Sequence, residues 1–118
     1  MTTQVLAEKL RQCIADTDIA TIHNELFAEN VESIEPQFAP LPHAKGLQQV
    51  KQKADLFGGN LKELHSKDVS REVVISGDHI SLGMSFDATL QDGNRMQLSE
   101  VIIYRVEDGK IVSEQFFY

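Results

Sequence analysis

The chain has 118 residues, of which 42% are hydrophobic and 25% charged, and its formal net charge is −7. This length fits one domain built on one core, and the composition is that of a globular protein. The acidic balance argues against nucleic-acid phosphates or an anionic membrane as partners.

A single cysteine, Cys13, leaves no intrachain disulfide, and no Cys/His set has the spacing of a structural zinc site. Cys13 stands among apolar residues and is expected to pack as a small buried hydrophobe. The N-terminal MTTQVLAEKL has no basic stretch leading into an apolar one, and no apolar run approaches a membrane span. A cytoplasmic location is the expectation.

Val5, Leu6, Leu10, Cys13 and Ile14 recur at helical spacing and predict a helix from about Thr3 to Ala15. Thr17 or Asp18 can cap a second helix, with Ile19, Ile22, Leu26 and Phe27 as its buried side and Glu29-Asn30 as its end. Val31 to Glu35 alternates and reads as a short strand closed by Pro36. Pro36 to Lys45 reads as a loop. A third helix, Gly46 to Phe57, has Leu47, Val50, Ala54 and Phe57 as its stripe and is expected to stop at Gly58-Gly59.

The period then changes to two. Leu61 to Ser76 gives one long strand or two pieces meeting near Val69-Ser70. His79 to Leu90 follows the turn Gly77-Asp78, with Leu82, Met84 and Phe86 as an inner wall. Met96 to Val106 and Lys110 to Tyr118 form a closing hairpin. Helices first and an antiparallel meander afterwards predict an α+β fold with helices on one face of a curved sheet.

Which side chains of the hairpin share a face depends on its turn. With Asp108-Gly109 as a two-residue turn, Glu107 pairs with Lys110, and Glu100 and Tyr104 share a face with Ser113, Gln115 and Phe117. With Glu107-Asp108-Gly109 as a bulged three-residue turn, Glu100, Ile102 and Tyr104 instead face with Val112, Glu114, Phe116 and Tyr118. This second set looks like a pocket wall of apolar bodies and polar tips. The opposite face would then carry Val101, Ile103, Arg105, Ile111, Gln115 and Phe117, apolar enough to suggest a homodimer through it.

The stretches LFAENVESIEP, GLQQVKQKADLF, GDHISLGMSFDATL and LSEVIIYRVEDGKIVSEQFFY, in this order, resemble the SnoaL-like branch of the nuclear-transport-factor-2-like superfamily. The resemblance covers nearly the whole chain. It implies a cystatin-like cone of curved antiparallel sheet closed by three helices, commonly dimeric. The superfamily includes ketosteroid isomerase, scytalone dehydratase, limonene-epoxide hydrolase and polyketide cyclases, and also non-catalytic binders, so fold alone does not fix function. Ketosteroid isomerase places its general base at an acidic residue directly before a proline, and Glu35-Pro36 matches that context. Its first-helix tyrosine has no counterpart near Leu10-Arg11. Its second carboxyl donor aligns with Ile102, or with Glu100 two residues earlier on the same face. These departures argue against steroid isomerisation itself.

The expected catalytic set is therefore Glu35, His65 and Glu100. A carboxylate inside an apolar cone has its proton affinity raised, as general-base work needs. His65 can serve as acid, base or partner to Glu35. Phe86, Tyr104, Glu114, Phe116 and Tyr118 are the expected ligand-binding set. His23, His43 and His79 read as surface. No spacing motif supports a metal site, and no cofactor is expected. Two function classes stay open. One is an acid–base isomerase, cyclase or dehydratase acting on a small apolar molecule. The other is a non-catalytic binding or dimerisation module.

Overall fold

A computed structural model describes all 118 residues. Helix α1 spans Thr3–Ala15, as its spacing predicts, and Thr2 caps it by accepting the Val5 amide at 3.2 Å. Its buried side is Leu6, Ala7, Leu10, Cys13 and Ile14, whereas Val5 is exposed. The far end of α1 is finished by tertiary structure. Thr17 turns left-handed with φ 56°, and the Lys67 ammonium donates to the Ile14 carbonyl at 2.6 Å and to the Thr17 hydroxyl. A cation on the last carbonyls satisfies orphan acceptors and complements the helix dipole. Lys67→Met should therefore lower unfolding free energy by about 2 kcal/mol, the scale of a charged hydrogen bond. Urea denaturation checks this, and an unchanged midpoint would refute the capping role.

The second helix is shorter than its apolar stripe suggests. Asp18 caps Ile19–Thr21 (α2), which continues as one π-helical turn, Ile22–Leu26. The chain is already strand at Phe27, so β1 runs Phe27–Ile34 rather than starting at Val31. The expected loop contains a short strand, β2, His43–Lys45, paired antiparallel to the end of β1. Helix α3 spans Leu47–Asn60 and runs through both glycines. A glycine in a helix interior costs about 1 kcal/mol relative to alanine and less in the last turn, where these two stand, so they weaken the helix end without preventing it.

The long strand is broken, as one alternative had it, into β3 (Leu61–Val69) and β4 (Val74–Ser76). Strands β5 (His79–Leu90), β6 (Arg95–Glu107) and β7 (Lys110–Phe117) complete one sheet of order β2-β1-β7-β6-β5-β3, with β4 also on β5. The sheet is antiparallel except where β1 lies parallel to β7, so it is mixed rather than purely antiparallel. The helices and the inner face of this curved sheet bury one core cluster of 17 residues, which includes Leu6, Leu10, Leu26, Val31, Ile80 and Ile102. No helix is long and apolar enough to cross a membrane.

The closing hairpin combines the two expected alternatives. Glu107 pairs with Lys110 around Asp108-Gly109, whose φ values of 52° and 76° are those of a two-residue primed turn. The register then shifts. Val106 pairs with Ile111 but Arg105 pairs with Ser113, leaving Val112 as a bulge residue. Tyr104 consequently faces Glu114, and Ile102 faces Phe116. The inward facing expected of a bulged turn is achieved by a bulge three residues beyond Gly109. Ile111, expected outside, is fully buried.

Candidate active site

Between the helices and the sheet lies a cavity of about 900 Å³, lined by 33 residues of which 21 are hydrophobic. That volume and lining suit a small apolar molecule held by a few polar groups. Glu35 reaches it from the end of β1, Glu100 and Tyr104 from β6, and Phe86 from β5. Strand β7 brings Glu114 and Phe116, and Tyr118 follows it. Seven of the eight expected site residues thus converge on one cavity.

His65 does not. Register shifts between Leu61 and Glu63 and between Leu64 and Ser66 interrupt the alternation of β3. Leu61, Leu64 and Lys67 turn to the cavity, while His65 bonds Thr89 at 2.7 Å on the other face of the sheet. The expected partnership of His65 with Glu35 is corrected accordingly.

The group that does sit on Glu35 is Lys53 of α3. Its ammonium lies 3.3 Å from Glu35 Oε1, donates to Ser33 Oγ at 2.7 Å, and is 5.1 Å from the centroid of the Phe116 ring. Ser33, fully buried, donates in turn to Glu114 Oε1 at 2.7 Å. One cation therefore serves two carboxyl groups, one directly and one through a hydroxyl. Glu35 Oε2 is buried with no hydrogen-bond partner. Sequence patterning gave one clue to Lys53: it stands three residues after Val50 and four before Phe57, on the stripe itself. Its four-carbon stem lets it pack there with the apolar residues.

This wall is electrostatically frustrated. Burial, followed by the charges of Glu35 and Glu114, pushes Glu100 up to about 7. Burial also raises Glu114 to about 7, against the opposing pull of the Ser33 hydrogen bond and Lys53. Burial and then the charge of Glu35 raise the Tyr118 phenol to about 12, and burial holds the Tyr104 phenol well above its ordinary value. Glu100 and Glu114 are therefore poised to gain or lose a proton near neutrality, as a coupled set rather than as independent acids.

Lys53→Met should destabilise the fold by about 3 kcal/mol at pH 8, because it strands buried carboxylates without their cation. The loss should shrink at pH 5, where Glu100 and Glu114 carry protons. Denaturation at the two pH values tests this, and an equal loss at both would contradict the shared-cation account.

The whole chain, residues 1–118, matches the family model of the SnoaL-like domain. A protein from Mesorhizobium loti, described as a candidate SnoaL-like polyketide cyclase [carbohydrate phosphatase], superposes with a TM-score of 0.92 at 28% identity, both chains being covered in full. A candidate isomerase from Bacillus subtilis gives 0.76 at 21% identity, over 98% of this chain and 88% of that one. An NTF2-like protein of unknown function from Burkholderia pseudomallei gives 0.76 at 19% identity, over 100% of this chain and 92% of its own. These last two speak to the fold alone. None of the functionally curated proteins matches the chain in sequence. From the match over its whole length, the chain belongs to the SnoaL-like domain family.

Proposed function

We propose that the protein is an acid–base enzyme that moves a proton within a small, apolar, cyclic carbonyl compound held in the cone. One observation carries this reading. Glu35, paired with Lys53 through one oxygen and unpartnered at the other, shares an apolar cavity with Glu100, a carboxyl that titrates near neutrality. A base and an acid in one largely apolar site are what enolisation needs.

In this scheme the free oxygen of Glu35 takes a proton from the carbon next to the carbonyl. The electron pair of that C–H bond moves into the carbon skeleton, and the carbonyl oxygen takes a proton from the Glu100 carboxylic acid. Return of the Glu35 proton to a different carbon, and of the oxygen's proton to Glu100, yields an isomer. No electrons are lost or gained and no cofactor takes part. Lys53 holds the charge of Glu35, and Phe86 and Phe116 supply apolar walls. The same two proton movements would serve a cyclisation or a dehydration.

β-Tetralone, a bicyclic ketone with acidic α-hydrogens, is a suitable probe. In deuterated water the protein should accelerate exchange of those hydrogens above the rate in buffer, as followed by proton NMR. Saturable binding of β-tetralone without accelerated exchange would favour the non-catalytic binding module instead.

A further inference from the structure

Among the polar groups of the cavity that the acid–base scheme does not use is one histidine. His23, expected at the surface, is only 9% exposed and lines the cavity. The imidazoles of His43, His65 and His79 are hydrogen-bonded or ion-paired. That of His23 has no such partner and packs beside the Phe27 ring, with centroids 5.6 Å apart. Its nitrogens are not fully buried, so water or a ligand in the cavity can bond them. The turn that carries it, Ile22–Leu26, is π-helical. Such turns shift the phase of a helix face and concentrate at functional sites.

The position of His23 relative to Glu35 follows from the sheet. Phe27, beside His23, pairs with Ile111, and Ile34, next to Glu35, pairs with Gln115. Those partners are four residues apart along β7, so about 13 Å separates the two ends of β1 at about 3.3 Å per residue. The cavity therefore carries His23 and Glu35 at well-separated places, within a lining of which 21 of 33 residues are hydrophobic. Burial, then the charge of Lys51, lowers the proton affinity of His23, with Asp55 opposing. Lys51 and Asp55 are the charged groups that act on the ring. A neutral imidazole offers one donor and one acceptor, which suits a hydroxyl or carbonyl rather than an ion.

We infer that His23 is a ligand-recognition residue at the end of the cavity away from Glu35, and that the ligand is an elongated apolar body with a hydroxyl or carbonyl at each end. The near-end group rests on the acid–base reading. The role of His23 does not.

Two rigid phenols test it with the intact protein: para-phenylphenol, polar at one end, and para,para′-biphenol, polar at both. Calorimetry should show the biphenol binding about tenfold tighter, the return from one satisfied hydrogen bond. His23→Leu should bring the two affinities together. His23→Gln, which keeps a donor and an acceptor, should restore part of the preference. The imidazole nitrogen NMR signals of His23 should move farther with the biphenol than with para-phenylphenol. Equal affinities in the unmodified protein, an undiminished preference in His23→Leu, or failure of both phenols to bind would each overturn the inference. A His23-dependent preference without β-tetralone exchange would sink the acid–base reading and leave this one standing. Exchange without the preference would do the reverse.

Discussion

Glu35→Gln is expected to slow α-hydrogen exchange of β-tetralone by about 10²- to 10⁴-fold, the usual contribution of a positioned general base. The amide keeps the size of the carboxylate and can still accept a hydrogen bond from Lys53. It cannot take a proton from carbon. Binding of β-tetralone should change far less than the exchange rate, because the apolar walls are untouched. Glu35→Asp should retain part of the rate while drawing the base back from its target. An exchange rate for Glu35→Gln equal to that of the unmodified protein would remove Glu35 from the chemistry, whatever else the cavity does.

Folding stability is expected to drop by about 4 kcal/mol between pH 5 and pH 8. The direction follows from Glu100 and Glu114, each raised from 4.5 to about 7 in the folded chain. Between those values the native state holds more protons than the unfolded chain, so unfolding free energy falls as pH rises. Their contribution is fully present below about pH 4.5 and is gone once pH passes the folded value of about 7. Moving one carboxyl over that interval is worth about 3 kcal/mol, and repulsion already shared between the two makes their sum smaller than double. His23 works in the opposite direction, since its lowered proton affinity favours the fold as pH rises through its ordinary 6.5. Asp87 is held low by Arg95 and Gln97, so its effect falls in acid, outside the window. Urea denaturation across the range measures the slope, and Glu100→Gln with Glu114→Gln should flatten it. A stability that rises steadily from pH 5 to pH 8 would contradict the buried-carboxyl picture.

Much of the fold could be read from periodicity where one element's pattern is unmixed. The first helix and β5 have the bounds that their spacing predicts. The boundary at Phe27 was hidden because Ile22, Leu26 and Phe27 continue an apolar helical stripe, and both helix and strand want Phe27 buried. Glu29-Asn30 reads as a helix end, yet it falls where β1 slips in register against β7 between Phe27 and Glu32. Irregularities of that kind also displaced His65. Alternation predicts a strand's facing only while the ladder is regular, and β3 has two breaks within six residues. Glu100, Tyr104, Glu114 and Tyr118 were legible as one wall under one of the two turn readings, and they share it because the ladder is regular beyond the bulge at Val112. Lys53 and His23 were not, since a charged or polar side chain on a helix is ordinarily assigned to water. Only the three-dimensional closure of the cone shows that it faces a cavity instead.

The extra residue at Val112 bears on how such a protein can vary. Its hairpin turn and its pocket wall are set independently: Asp108-Gly109 closes the turn, and the single unpaired residue decides which side of the sheet receives Glu114, Phe116 and Tyr118. Pairing Val112 with Arg105 in an unbulged ladder would leave the turn intact and exchange those three for Ser113, Gln115 and Phe117. A slip of one residue in pairing would thus give the cavity a different set of polar groups on the same frame, with no substitution at all.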